Sequence, residues 1–70
     1  MDKLRINGKD HEFAAGDWPA DIEELLMRLK IDRATVVAEL DGRIIERKNF
    51  AVTRLKQGQT LELIRFVGGG

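Results

Sequence analysis

Apolar and polar residues alternate at the start of the chain in a pattern that predicts a β-hairpin. Residues 4–6 alternate between apolar and polar side chains, and Asn7-Gly8 follows them directly. Because both residues of an Asn-Gly pair tolerate positive φ angles, this pair is a strong signal for a type I′ turn between two strands. The expected return strand, residues 9–14, is polar apart from Phe13, and such a strand is typical of a sheet edge.

An amphipathic helix is predicted after this hairpin. Apolar residues recur at the spacing i, i+3, i+4 and i+7, which places one apolar stripe along a helix: Ile22, Leu25, Leu26 and Leu29. We expect Asp17 to cap the helix, Pro19 to lie in its first turn and Asp21 to complement the helix dipole. The helix is expected to end near Lys30, where no glycine marks a boundary.

The second half of the chain predicts several short elements and one final strand. In order, they are a strand at residues 36–40, a turn at Asp41-Gly42, a short strand at 43–45, a loop or single helical turn at 46–51 anchored by Phe50, a short edge segment at 52–55, a turn at Gln57-Gly58 and a strand at 61–66. The final strand leads directly into a valine and three glycines at residues 67–70.

This order of elements predicts an α+β fold. A single amphipathic helix can cover only one face of a small mixed sheet, and a helical crossover between strands is the usual route to parallel pairing. The arrangement matches the β-grasp, or ubiquitin-like, architecture, in which the last strand lies centrally beside the first. We therefore expect a β-grasp domain at residues 1–67 and a flexible C-terminal glycine tail at residues 68–70.

The final strand has two different faces. If Leu61 and Leu63 face the helix, the alternation of strand side chains turns Ile64 and Phe66 to the opposite side. These two residues, with Val67, then form an exposed apolar patch beside the tail, and such patches often mark partner-docking surfaces. The alternative is that loop residues cover Ile64 and Phe66 or that a β-bulge resets the register, and the sequence favours neither.

Composition narrows the possible classes of function. Twelve acidic and twelve basic side chains give a formal net charge of zero, so there is no long-range attraction to nucleic acid or to an anionic membrane. There is no cysteine, hence no disulfide framework and no thiolate metal site, which suits the cytoplasm. No apolar run approaches the roughly 18 residues of a membrane span. Residues 1–5 lack the apolar stretch of a signal peptide.

Side chains suited to catalysis are scarce. The chain has no serine, no cysteine and a single histidine, His11, so it offers neither a nucleophile–base pair nor a metal cluster. The remaining reactive candidate is the α-carboxylate of Gly70, which follows glycines that can extend through a narrow channel at roughly 3.3–3.6 Å per residue. Activation of this carboxylate by ATP would give an acyl-adenylate. A sulfur nucleophile would then displace AMP and leave a thiocarboxylate.

Several segments, taken in their order, resemble one protein family. They are Ile6-Asn7-Gly8, residues 38–45, the pair Arg47 and Phe50, and residues 61–70 preceded by the turn at Gly58. Together these segments resemble the ThiS family of sulfur carrier proteins of thiamine biosynthesis, over nearly the whole length of the chain.

The resemblance implies a function and a set of partners. Gly70 would be adenylated by a ThiF-type enzyme, with ATP used by that enzyme and no cofactor bound by the chain itself. A cysteine desulfurase or a related donor would supply sulfur for the thiocarboxylate. A ThiG-type thiazole synthase would receive that sulfur for the thiazole ring of thiamine. Gly68 and Gly69 would thread the partner active sites, and the chain would be a protein co-substrate and not an enzyme.

The sequence departs from the family pattern in two places, and it leaves several rival functions open. Glu46 stands where the family commonly has proline, and residues 17–21 look longer than usual and include an unexpected Trp18. The nearest rival function is a MoaD-like carrier for molybdopterin, followed by carriers for cysteine synthesis or tRNA thiolation. A ubiquitin-like modifier joined to lysines through Gly70, and a β-grasp binding module without covalent chemistry, belong to different classes.

Overall fold

The computed structural model describes residues 2–65, which form a mixed β-sheet with one α-helix packed on one of its faces. The strands are β1 (Asp2–Ile6), β2 (Lys9–Phe13), β3 (Val36–Leu40), β4 (Arg43–Ile45) and β5 (Thr60–Arg65), and the α-helix is α1 (Ile22–Arg28). Two short 3₁₀ helices, Arg33–Thr35 and Arg47–Asn49, lie in the connections between these elements.

The strand order within these residues is β2-β1-β5-β3-β4, so β5 lies at the centre of the sheet. β1 and β5 run parallel, whereas the other neighbouring strands are antiparallel. Parallel pairing needs a long crossover between the two strands, and α1 lies in that crossover. The topology confirms the predicted β-grasp fold, the position of the last strand beside the first and the edge position of β2.

Both predicted hairpin turns form. Asn7 and Gly8 have φ angles of 50° and 81°, and Asp41 and Gly42 have φ angles of 48° and 84°. Positive φ at both central residues is the mark of a type I′ turn, whose twist matches the right-handed twist of the strands that it joins. Local turn chemistry therefore sets both hairpins.

The start of α1 differs from the prediction. Asp21 caps the helix, because its side chain accepts a hydrogen bond from the backbone N–H of Glu24 at 2.8 Å. The prediction of Asp17 as the cap is wrong, because Asp21 has the Asp-x-x-Glu spacing of a capping box and Asp17 does not. Asp17 instead forms an ion pair with Arg28 at 3.4 Å. Pro19 is buried ahead of the helix and does not lie in its first turn.

The segment before α1 packs against a later loop, and this packing accounts for its tryptophan. Trp18 donates a hydrogen bond from Nε1 to the backbone oxygen of Leu55 at 2.8 Å. The Trp18 ring meets Phe13 edge-on, with the two ring centroids 5.4 Å apart. The N–H of Leu55 donates in turn to the backbone oxygen of Ala20 at 3.2 Å. Trp18 therefore fastens the segment before α1 to the loop at Leu55.

The expectation of a short edge segment at residues 52–55 is wrong. Among the described residues, this stretch forms one isolated β-bridge, between Arg54 and Asp21. Its backbone bonds to the start of α1 instead, as in the hydrogen bond from the Ile22 N–H to the Thr53 oxygen at 3.3 Å. The stretch is a loop that is fixed to the helix and not to the sheet.

The end of α1 is a Schellman motif built without glycine. Lys30 has a φ of 58°, and its N–H donates to the backbone oxygen of Met27 at 3.1 Å. The N–H of Ile31 donates to the oxygen of Leu26 at 2.9 Å. These are the two hydrogen bonds of a Schellman motif, in which glycine usually takes the left-handed position that Lys30 fills here. The helix therefore ends close to the predicted residue.

One hydrophobic core lies between α1 and the inner face of the sheet. Its buried side chains are Leu4, Ile6, Ile22, Leu25, Leu26, Val36, Ala38, Leu40, Phe50, Leu55, Leu61 and Leu63. The burial of Phe50 confirms this residue as the anchor of the 46–51 segment, which contains a single 3₁₀ turn. Among residues 2–65, no polar or charged side chain is buried.

Candidate functional site

Of the three residues predicted for docking, the structure describes one, Ile64 on β5. Leu63 is 7% exposed and belongs to the core, whereas its neighbour Ile64 is 51% exposed on the outer face of the sheet. The predicted alternation of inner and outer side chains along β5 is confirmed. Of the two alternatives for Ile64, exposed or covered by a loop, the structure shows the exposed one. The remaining predicted site residues lie outside the described part of the chain: Phe66 and Val67 for docking, Gly68 and Gly69 for threading, and Gly70 for attachment.

The outer face of the sheet groups Ile64 with two further apolar residues. Ile64 pairs directly with Val37 of β3, and directly opposed residues of antiparallel strands have Cβ atoms about 4.5–5.5 Å apart. Ile44 is 70% exposed and pairs with Glu39, so it lies on the same face, diagonal to Val37. We call Val37, Ile44 and Ile64 the outer apolar patch.

The sequence prediction missed Val37 and Ile44 as members of this patch. A signal for Val37 was present, because it alternates with Val36 and Ala38, which are buried. What the sequence does not display is the strand order, which places β3 between β4 and β5 and so brings Ile44 to the same side as Ile64.

Charge divides the outer face into two halves. Two ion pairs, at 3.9 Å and 3.6 Å, join β1 to β2: Lys3–Glu12 and Arg5–Asp10. On the other half, Glu39 and Glu62 lie directly opposite each other, and neither takes part in an ion pair among residues 2–65. The half that contains the outer apolar patch is therefore both apolar and acidic. The two opposed glutamates also destabilise the sheet there, because like charges in directly opposed positions repel each other.

Neither a metal-binding cluster nor a pocket is found in the part of the chain that the structure describes. Residues 2–65 contain no cluster of three or more His, Cys, Asp or Glu side chains that could hold a metal ion, and no pocket. His11 is half-buried on the edge strand β2. No helix within these residues has the length and apolar character needed to span a membrane. What these residues offer is an exposed apolar and acidic surface on β3, β4 and β5.

The strand order, the crossover through α1 and the central β5 define a small β-grasp domain. Solved structures share this fold. The crystal structure of the thiamine biosynthesis protein ThiS from Geobacter metallireducens has a TM-score of 0.78 at 38% identity, covering 97% of this chain and 99% of that chain. A solution structure of a thiamine biosynthesis protein from the same organism has a TM-score of 0.77 at 38% identity, covering 100% of this chain and 88% of that one.

Sequence comparison narrows this class to one family. The model of the ThiS family matches residues 4–70. The sulfur carrier protein ThiS of Bacillus subtilis is 30% identical over 70 residues, covering 96% of this chain and 98% of that protein. The chain belongs to the ThiS family of sulfur carrier proteins. The resemblance predicted from the sequence is thereby confirmed.

Two other relatives are much longer than this chain. The thiazole synthase of Paramagnetospirillum magneticum is 34% identical over 68 residues, and that of Magnetococcus marinus is 29% identical over 68 residues. Each match covers 97% of this chain, and the chain spans 20% of the length of each of those proteins. A segment similar to this chain therefore makes up about a fifth of each thiazole synthase.

Proposed function

We propose that the chain carries sulfur as a thiocarboxylate on Gly70. A ThiF-type enzyme adenylates the Gly70 carboxylate with ATP and releases pyrophosphate. A persulfide from a cysteine desulfurase or a related donor then displaces AMP and forms an acyl disulfide. A thiol reductant cleaves the S–S bond of this acyl disulfide and leaves the thiocarboxylate. The observation that carries this proposal is the match to the ThiS family, which extends through residue 70.

In this proposal, Gly68 and Gly69 thread the active sites of the partner enzymes. Glycine has no Cβ, so an extended glycine backbone needs less space than any other. The pairing of β5 with β1 on one side and β3 on the other supports the proposal. β3 stays in register with β5 as far as Arg65, so the tail follows a strand that is held in the sheet. A fixed base reduces the entropy lost when the tail enters another protein.

We propose that the outer apolar patch, together with Phe66 and Val67, docks on the partner enzymes. The patch includes Ile64, the exposed large apolar residue of β5, which is followed by Arg65, the last residue of the strand. Glu39 and Glu62 beside it favour a partner surface with basic residues, because opposite charges across an interface speed association and fix its register. The catalytic side chains come from the partners, and the chain acts as their co-substrate.

A ThiG-type thiazole synthase is the proposed acceptor of the sulfur, for the thiazole ring of thiamine. In support, two proteins named thiazole synthase each contain a segment that matches nearly all of this chain. Joining a carrier to its acceptor raises the local concentration of the tail at the active site. We extend this pairing of carrier and synthase to the present chain, and the cytoplasmic location stays a prediction from the sequence.

Deletion of Gly70 tests the proposal in an ATP–pyrophosphate exchange assay with a ThiF-type enzyme. The deletion withdraws the carboxylate by one residue, or roughly 3.3–3.6 Å, so we expect exchange to be lost. The free energy of unfolding should change by no more than about 0.5 kcal/mol, because Gly70 has no side chain to bury and the core of the described residues lies between Leu4 and Leu63. Full exchange activity of the shortened chain would refute the proposal.

A further inference from the structure

The first residue of each hairpin turn reaches beyond its own turn and binds β5. Asn7 donates its backbone N–H to the Leu61 oxygen at 2.9 Å, and its Oδ1 accepts a hydrogen bond from the Leu63 N–H at 2.7 Å. Asp41 donates its backbone N–H to the Thr60 oxygen at 2.8 Å, and its Oδ1 accepts from the Thr60 N–H at 2.9 Å. Both type I′ turns therefore hold β5 through side chains.

The Asn7 side chain extends the pairing of β1 with β5 after β1 has ended. β1 stops at Ile6, and the φ of 50° at Asn7 turns the backbone toward β2. A parallel pair continued by one step would bring a backbone carbonyl to the Leu63 N–H. The Asn7 side-chain carbonyl takes that place. It supplies an acceptor to a backbone N–H in a buried residue, where an unpaired N–H is costly.

This hydrogen bond lies at the end of β5 that leads to the tail. The backbone register of β1 with β5 ends at Leu61. Ile64 and Arg65, which follow Leu63, are in register with β3 alone. The Asn7 bond is thus the last hydrogen bond described for β5 on its β1 side.

We propose that Asn7 is a positioning residue for the carrier reaction, because its side chain holds the tail end of β5 in the sheet. The inference rests on the proposed function. Without this bond, the Leu63 N–H loses its acceptor, and the end of β5 is held on one side only. A partner enzyme must then order these residues when it binds the carrier, which costs conformational entropy in the ground state and the transition state alike. Asn7 therefore lowers KM for the carrier and leaves kcat unchanged.

Asp41 provides a matched control because it binds the opposite end of β5. Its partner Thr60 is the first residue of that strand, far from the tail. The Asp41 bond has a charged acceptor, which strengthens it, whereas the Asn7 bond is the more buried of the two. KM is therefore compared under conditions in which both variants are fully folded. Both substitutions keep the turn, because glycine adopts positive φ without strain. A difference in KM between the two variants therefore reports the place of the bond and not its contribution to stability.

The test measures KM and kcat for the carrier in ATP–pyrophosphate exchange with a ThiF-type enzyme, at a temperature where every variant is folded. We expect Asn7→Gly to raise KM by about two- to tenfold, the factor that one neutral hydrogen bond is worth, with kcat unchanged. Asp41→Gly should change neither constant. Asn7→Asp keeps an Oδ1 acceptor and tolerates positive φ, so it should keep the original KM.

Amide hydrogen exchange of the protein alone supplies a second readout. Asn7→Gly should speed exchange at Leu63, and Asp41→Gly should speed it at Thr60. Both rates are compared with the exchange rate of Leu25 in α1, a core amide that reports opening of the whole domain.

Three results would overturn the inference. They are an unchanged KM in Asn7→Gly, an equal rise of KM in Asn7→Gly and Asp41→Gly, and unchanged exchange at the Leu63 amide. A separate result, in which an active ThiF-type enzyme does not adenylate the unsubstituted protein, would refute the proposed function. The role of Asn7 in the reaction would fall with it, and the exchange data would then describe a structural bond alone.

Discussion

Ile64 contributes less to folding stability than the size of its side chain suggests. Full burial of an isoleucine stabilises a protein by roughly 1.5–3 kcal/mol, but 51% of Ile64 stays exposed. The exposed part of the Ile64 side chain lies beside Val37 and Ile44, on the face of the sheet that α1 does not cover. In the docking that we propose, this surface stabilises a complex and not the isolated domain.

Ile64→Glu is predicted to weaken partner binding far more than it lowers stability. The substitution places a charge that must lose its water on docking at a position where the partner meets apolar surface. We expect Kd for the ThiF-type enzyme to rise by about tenfold or more, and the free energy of unfolding to fall by less than about 1 kcal/mol. Titration calorimetry and urea unfolding measure the two quantities.

Val52→Glu is the matched control for this substitution. Val52 is 71% exposed, but it lies in the loop that bonds to the start of α1 and not on the outer face of the sheet. The same chemical change should therefore leave partner binding intact. Equal losses of binding in the two variants would contradict docking through the outer apolar patch, and a large loss of stability in Ile64→Glu would place Ile64 in the core.

At the scale of elements, two side chains fix the start of α1. Asp21 accepts a hydrogen bond from the Glu24 N–H, and Glu24 accepts one from the Ala20 N–H at 2.6 Å. This arrangement is a capping box in which the glutamate reaches one residue further back than usual. The hydrogen bond from Ala20, followed by that from Arg28, holds the pKa of the Glu24 carboxyl below its ordinary value, while desolvation opposes this shift.

Glu24→Gln is predicted to remove part of the acid sensitivity of the fold. Because folding lowers the pKa of Glu24, its carboxylate contributes stability above the ordinary glutamate pKa and loses this contribution as the pH falls through the folded-state pKa. The variant should therefore be less stable than the original protein at neutral pH, and the difference should vanish in acid. Urea unfolding across a pH series measures this difference.

Glu62→Gln is the control of opposite sign for the pH series. It removes a carboxylate that lies directly opposite Glu39 and leaves the capping box intact, so it should not lower stability at neutral pH as Glu24→Gln does. A stability difference between Glu24→Gln and the original protein that stayed constant from neutral to acid pH would contradict the role assigned to the Glu24 carboxylate.

Elements with a local cause were predictable from the sequence. Both type I′ hairpins follow from residue pairs that accept positive φ, and the buried side of β5 follows from alternation. The cap of α1 was predicted at Asp17, but the hydrogen bond from the Glu24 N–H to Asp21 shows that Asp21 is the cap. The left-handed Lys30 carries no such signal, because glycine usually fills that position.

Features that depend on tertiary packing were not predictable in the same way. Residues 52–55 bond to the start of α1 because the fold brings the two together, although they are far apart in the sequence. The exposure of Ile64 depended on which face of the sheet the 46–51 segment would cover. Phe50, the anchor of that segment, is buried in the core with the α1 side chains, so the segment is fixed on that side.

At the scale of the whole molecule, β5 connects stability with the proposed function. Its inner side chains, Leu61 and Leu63, belong to the core, and its outer side chain Ile64 belongs to the outer apolar patch. The net charge of the chain is zero, yet the outer face is uneven, with ion pairs on β1 and β2 and two opposed glutamates on β3 and β5. The packing of the core and the proposed docking surface thus meet in one central strand.

Mass spectrometry with fragmentation is the decisive test of whether Gly70 carries sulfur. The protein is incubated with ATP, a ThiF-type enzyme and a sulfur source. Fragmentation is required because oxidation of Met1 or Met27 changes the mass by nearly the same amount as exchange of oxygen for sulfur. We predict a change of mass confined to Gly70. An unmodified Gly70 in the presence of a demonstrably active enzyme would contradict this prediction.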